Sequence, residues 1–364
     1  MKRDALDRDV YNLLGLPFDA VDMDEAVREV IEAVNKKQKL FISTPNLNFL
    51  IASQKKSTFR ESVLHSDLSI ADGMPIVFMC KLLNIPIQER VAGSSLIDEL
   101  RQNDECRENP IKVFFFGGQD GVAEQAHQVL HDANDGLKSV GYLNPGFGSV
   151  DDMSRDEIID RINSAEPDFI IVSLGAAKGQ AWIENNRHRL TAYVISHLGA
   201  VVNFIAGTVR RAPNWVQKLH MEWLWRIKEE PALFNRYWKD GMAFVKLLFS
   251  RILPYRSIIK RHQIYSTPQI EPDYDGSNVL LAGDLNFSKK DELREILKKL
   301  IIKGDNIALD MSGVRYIDQS ILGLLLVSWV KIRQIGCEMR FEGLTDEVHE
   351  IVKLNGIEFI LKGE

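Results

Sequence analysis

At 364 residues, 45% hydrophobic and 26% charged, the chain has the composition of an ordinary globular protein, and its length favours two domains over one. Three scattered cysteines (Cys80, Cys106, Cys337) exclude a disulfide framework or a cysteine zinc site and fit a reducing compartment. No window reaches the roughly 20 apolar residues of a membrane span, and the opening MKRDALDRDVYNLLGL lacks a signal-peptide core, so a cytoplasmic location is expected.

In chain order, DMDEAVREVIEAVNKK opens with acidic caps at Asp22 and continues at helical spacing. KLFISTPN predicts a strand ending at Thr44-Pro45-Asn46, followed by one helix through LNFLIASQKKSTFRESVLHS. A short strand, DLSIA, runs into Asp72-Gly73. KVFFFGG, GVAEQAHQVLHDA, FIIVSLGA and QAWIENNRHRL then predict strand, helix, strand, helix. Apolar strands alternating with helices argue a mostly parallel, Rossmann-like α/β sheet covered on both faces.

From Ala212 to Arg261 the pattern changes to helices rich in Trp and Arg, with breaks expected at Pro231 and Pro254. Although the whole chain carries −6, Thr208 to His262 holds twelve Lys/Arg against four Asp/Glu, a local +8, with four of the six tryptophans. Cations interleaved with Trp215, Trp223, Trp225 and Trp238 suit an anionic membrane surface, and no nucleic-acid motif accompanies them. Core aromatics under a solvated helical face are the plainer alternative. The first domain is placed at 1–262, a linker at 263–277, and a second, compact α/β unit at 278–364. That unit predicts strands at NVLLAG, NIALDMSG, EMRFEG and IEFIL, with helices at KKDELREILKKLIIKG, SILGLLLVSWVKIRQIG and DEVHEIVKLNG between them.

Four features carry candidate chemistry. Asp72 stands at a strand's carboxyl end, where open α/β sheets place ligand crevices, and Gly73 leaves room beside it. A carboxylate in an apolar rim has its pKa raised toward a value useful for a base, yet Asp-Gly is also a common turn pair. Thr44 and Asn46 offer hydrogen bonds to a ligand or a helix cap. In FFFGGQDGVAEQA, Gly117, Gly118 and Gly121 present backbone N–H groups and a helix start to a phosphate, though not at dinucleotide spacing. Asp22-Met23-Asp24 has the form of an Asp-x-Asp metal site but opens a helix; capping is the preferred role, and no metal or cofactor is assigned.

Taken together, STPNLNFL, DLSIADGMPIVFMCKLL, IQERVAGSSL, FFFGGQDGVAEQA, GYLNPGF, PDFIIVSLGAAKGQAW, FIAGTVRRAPNWVQKLHMEWLWRIKEEP and NRYW resemble the WecG/TagA/CpsF glycosyltransferase family (family 26), over roughly Leu14 to Leu248. The resemblance implies inverting transfer of N-acetylmannosamine, its uronic acid, glucose or a similar sugar. The donor would be a UDP-sugar and the acceptor a polyprenyl-diphosphate-linked saccharide. Asp72 would be the base, with Thr44, Asn46, Gly73 and Arg90 around the substrates and Gly117 and Gly118 on the nucleotide side. Arg210, Arg211 and Arg226, in the appendage at 208–262, would meet the diphosphate. The resemblance also implies a peripheral place on the inner face of the membrane; a homo-oligomer is a further expectation. The family's G-x-P-K-Q-E-x-W appears here with Ala177, Gly179 and Gln180 at the Pro, Gln and Glu positions, and its F-D pair as Val202-Asn203. Gln180 and Asn203 remain polar and stand as substrate-binding positions.

NIALDMSGVRYIDQSILGLLL resembles a STAS domain, with Gln319 in place of its phosphorylatable serine and Ile321 in place of its glycine. A helix N-cap is the reading for Ser320, and a docking or regulatory role with a protein partner is expected of the domain. The competing expectation is a non-catalytic UDP-sugar sensor signalling through that domain. An NAD-dependent oxidoreductase would rest on the strand-glycine-helix cue alone.

Overall fold

The computed structural model describes residues 5–213, 215–216, 221–262, 268–272 and 278–362. Its strands are β1 (Val10–Leu13), β2 (Leu16–Asp19), β3 (Leu40–Ser43), β4 (Leu68–Ser69), β5 (Ile111–Gly117), β6 (Leu137–Leu143), β7 (Phe169–Ser173) and β8 (Val194–His197) in the first unit. The second unit contributes β9 (Gln269–Pro272), β10 (Asn278–Leu285), β11 (Ile307–Ile317) and β12 (Met339–Glu342).

Strands β3 to β8 form one parallel sheet in the order β4-β3-β8-β7-β5-β6. Alternate residues point to opposite faces, so Val113 and Phe115 pack into one core with Ile42, Ile171 and Val194. Phe114 and Phe116 pack into the other with Phe41, Val172 and Trp182. Helices cover both faces, which is why these strands read as continuous apolar runs. Met23–Asn35 is capped as its sequence predicted: Asp22 accepts from Glu25 N at 2.8 Å, and Glu25 reaches back to Asp22 N at 3.1 Å.

Several local expectations are corrected. The helix expected from Leu47 is two, Leu47–Lys55 and Ser57–Leu64, because Lys56 is extended (φ −132°). Pro254 does not break the helical run: a π-helical turn at Leu248–Ile252 directly precedes it, and the altered hydrogen-bond ladder there takes in the ring. Within the expected linker, Gln269–Pro272 forms β9, so the second sheet starts inside that stretch; residues 263–267 and 273–277 lie outside the described residues. IEFIL is not a strand, since Glu358–Lys362 is a short helix whose Phe359 and Ile360 are buried.

The second sheet runs β12-β11-β10-β9, with β10, β11 and β12 parallel and β9 antiparallel at one edge. Helix Gln319–Gln334 is buried almost all round. One side faces this sheet and the other faces the β1–β2 hairpin, which belongs to the first unit in sequence. The approach is close: a Cβ on Gly323 would stand 2.4 Å from the Val10 carbonyl oxygen. A single core joins the hairpin, helices Leu47–Lys55, Ser57–Leu64 and Met74–Leu82, helix Leu253–Arg261, and the whole second unit.

Candidate active site

Asp72 follows β4 at the carboxyl edge of the sheet. Its loop is pinned by backbone hydrogen bonds: Ile70 N to Ser43 O at 3.0 Å, Asp72 N to Pro45 O at 3.1 Å, and Val91 N to Ala71 O at 3.0 Å. Gly73, at φ +134°, turns the chain into helix Met74–Leu82, a conformation closed to an ordinary side chain. Asn46 accepts from Phe49 N at 3.2 Å, capping Leu47–Lys55, and its Cβ lies 3.8 Å from where a Gly73 Cβ would be. Thr44 is buried beside them.

The side chains facing Asp72 come from the loop carrying Arg90 and from helix Glu222–Glu229. Arg90 makes a bidentate pair with Glu222, Nη2 donating to Oε1 at 3.0 Å and Nη1 to Oε2. Burial pushes the Asp72 carboxyl up to about 6; Arg90 and Arg226 pull it down, and Glu222 adds to the rise. A carboxylate with that value is still ionised at neutral pH and is a stronger base than an exposed one.

The appendage arginines divide. Arg211 is tied to helix Gly93–Gln102, ion-paired with Asp98 and donating to Ser95 Oγ at 2.9 Å. Arg226 is loosely paired with Glu230 at 3.7 Å. Arg210 is exposed, and its carbonyl accepts from Trp225 Nε1 at 3.1 Å. Glu222 was not singled out in the sequence. Its signal was its place beside Trp223 and Arg226 in EWLWR, but nothing there showed that it would close onto Arg90.

On the other side of the sheet's edge, Gly117 and Gly118 adopt φ +92° and +99°, and Gly118 N donates to Ser173 O at 2.7 Å. Gly121 opens helix Val122–Asp132 with no side-chain cap, which leaves backbone N–H groups for an anion. Asn203 is half-buried on the short helix Val201–Ile205, next to Val202, whose Cγ1 lies 3.7 Å from where a Gly118 Cβ would be. Gln180 lies in the floor instead, fully buried, donating to Ser43 Oγ at 3.3 Å. The departure at Gly179 has a packing reason. A Cβ there would stand 2.2 Å from His197 Cδ2, and this buried ring, its pKa lowered by burial, fills the space.

Strand order thus separates two groups. Asp72, Gly73, Thr44, Asn46, Arg90 and Arg226 gather at the β3/β4 end, while Gly117, Gly118 and Asn203 gather near β5. Four strand spacings from β4 to β5 amount to about 19 Å. Such a span accommodates an extended ligand.

Neither Glu222–Glu229 nor Phe234–Leu247 buries a residue; the core-aromatic alternative holds for Tyr255 and partly for Phe244, which pack on the core, but not for the exposed Trp215, Trp223 and Trp238. Phe234, Trp238, Met242, Val245 and Phe249 form one exposed apolar stripe. Among the described residues no helix is long and apolar enough to cross a membrane. In the second unit, Asp318 rather than Ser320 caps helix Gln319–Gln334, accepting from Ser320 N at 2.9 Å and Ile321 N at 3.0 Å. Gln319 is only 3% exposed.

A parallel α/β sheet with its polar groups gathered at the carboxyl edge, under a helical cover, defines the class of ligand-binding α/β domains. The chain belongs to the glycosyl transferase WecG/TagA/CpsF family, whose model matches residues 11–257, and residues 271–363 match the STAS domain. It is similar to proteins named N-acetylglucosaminyldiphosphoundecaprenol N-acetyl-beta-D-mannosaminyltransferase from three organisms. The Bacillus spizizenii protein is 29% identical over 56% of this chain and 76% of its own length. The Bacillus subtilis protein is 28% identical over 56% and 77%, and the Staphylococcus aureus protein 26% identical over 59% and 83%.

Proposed function

We propose that this glycosyltransferase moves a sugar, N-acetylmannosamine, its uronic acid, glucose or a similar hexose, from a UDP-sugar to a polyprenyl-diphosphate-linked saccharide. The observation that carries the reading is Asp72, a half-buried base facing Arg90, Glu222 and Arg226 at the sheet's carboxyl edge. The names of the relatives support the acceptor class. Asp72 takes the proton of the acceptor hydroxyl as its oxygen attacks the anomeric carbon. The bond from that carbon to the UDP oxygen breaks, and UDP leaves with the bonding pair. The stereochemistry inverts. Charge developing on the departing diphosphate is met by Arg210 and Arg226, guanidinium groups that stabilise an oxyanion more as its charge grows, while Gly117 and Gly118 serve the nucleotide side.

The exposed stripe and the exposed cations Arg236, Lys239 and Lys246 on the same helix support a peripheral place on an anionic membrane, where the lipid-linked acceptor resides. The test is UDP release from a panel of UDP-sugars with a polyprenyl-diphosphate saccharide in detergent, for wild type and Asp72→Asn side by side. Acceptor-dependent release from one donor, lost in the variant, is expected. Donor binding with no turnover across the acceptor panel would instead favour a sensor.

A further inference from the structure

The second unit is joined to both sides of the candidate site. On one side lies the β1–β2 hairpin. Asn12 Nδ2 donates to Gln319 Oε1 at 3.4 Å and to Asn355 O at 3.2 Å, and Gln319 Nε2 donates to Asn355 Oδ1 at 2.5 Å. Lys290, buried against the Tyr11 ring, donates to Asp9 at 2.6 Å. Across the hairpin from Val10, at the same end as Asp9, Asp19 is buried. One Asp19 oxygen accepts from Ser69 N at 2.6 Å, and both accept from Arg8, at 2.7 and 3.0 Å. Ser69 ends β4, three residues before Asp72. On the other side lies the appendage. Tyr255 OH donates to Ile317 O, at the end of β11, at 2.8 Å. Tyr255 belongs to the helical run Phe234–Arg261, where Phe244 meets Phe78 of the helix that follows Asp72 and Tyr237 meets Trp223 beside Glu222.

We propose that the C-terminal unit is a brace built into the transferase. Docked through Asn12, Gln319 and Gly323, it positions Asp72 from below through Asp19 and Ser69. It positions the Glu222 and Arg226 cover from above through Tyr255. Gln319 stands where the resemblance expected a phosphorylatable serine, and that position is closed off by the chain's own hairpin instead of being open to a partner. Asn12, Asp19 and Gln319 are positioning residues: they touch no substrate. The inference rests on the proposed role of Asp72 as the base.

The test uses the full chain. In Gly323→Leu the side chain meets the Val10 carbonyl, which is backbone and has no rotamer to yield. The double change Asn12→Ala/Gln319→Ala removes the docking hydrogen bonds more gently and serves if the first variant does not fold. Release of the hairpin is read by amide hydrogen exchange over Val10–Asp19 and Gln319–Gln334. Transfer is followed from pH 4.5 to 8.5, and the Asp72 carboxyl is titrated by carbon NMR, assigned against Asp72→Asn. A freed brace admits water to Asp72 and lets Glu222 withdraw, while Arg90 stays on its own loop. The expected result is therefore a fall in kcat of tenfold or more, with the KM for donor changed less than twofold. The Asp72 titration should move from about 6 toward the ordinary carboxylate range. A released hairpin with wild-type kcat and an unmoved titration would overturn the brace. Wild-type protein that transfers nothing would overturn the proposed function alone, since the titration still reports on the brace without turnover.

Discussion

At the scale of the residue, Asp72 is a base made by its surroundings. Transfer should rise with pH through about 6 and level off above it, because only the ionised carboxyl accepts a proton. Glu222→Gln removes the charge that raises this pKa and releases Arg90, which lowers it. Both effects have one sign, so the acidic limb of the pH profile should move below 6. The raised pKa also bears on stability. The folded chain keeps the Asp72 proton at pH values where the unfolded chain has released it. Its contribution therefore favours folding below the ordinary carboxylate range and is lost as pH rises through about 6. Asp72→Asn should abolish transfer yet stabilise the fold at pH 7.5 by about 1 to 2 kcal/mol, after discounting for partial exposure, with the difference closing toward pH 4.5. Thermal melts of both proteins at the two pH values check this.

At the scale of the element, the helix from Phe234 is amphipathic in an unusual sense: its apolar stripe faces solvent. Trp238 is 65% exposed and Phe249 66%, too much large apolar surface along one line to be incidental. Trp238→Asp leaves the core untouched, because Trp238 packs only on Phe234 among the aromatic rings of the described residues. Co-sedimentation with anionic vesicles should weaken about tenfold, while UDP release in detergent with a short-chain acceptor stays near wild type. Equal vesicle binding by both proteins would remove the membrane from the account of this stripe.

At the scale of the whole molecule, one apolar core runs through both family-matched regions, so they are expected to unfold together. Calorimetry of the full chain should show one cooperative transition. A chain ending after His262 exposes Val10, Tyr11, Tyr255 and Ile259, all buried here, and should aggregate. Two transitions in the full chain, or a soluble monomeric fragment, would show that the shared core is dispensable.

The sequence by itself determined what local pattern encodes. Apolar runs of strand length marked β3, β5 and β7; the acidic cap at Asp22 marked its helix; and the Asp-Gly pair and the Trp- and Arg-rich blocks marked the family and the candidate base. These signals lie within a few residues of one another and need no distant partner. The β1–β2 hairpin carries little local signal because its strands have four residues each and are stabilised mainly by burial against a helix more than 300 positions away. IEFIL differs from its expected strand because its apolar run suits a strand or a short buried helix equally. Tertiary structure alone decided that Glu222 closes on Arg90, that His197 occupies the room left by Gly179, and that Gln319 is covered by Asn12. Each is a contact between residues far apart in the chain, fixed by close packing and by the need to satisfy buried polar groups, which leave no periodicity in the sequence.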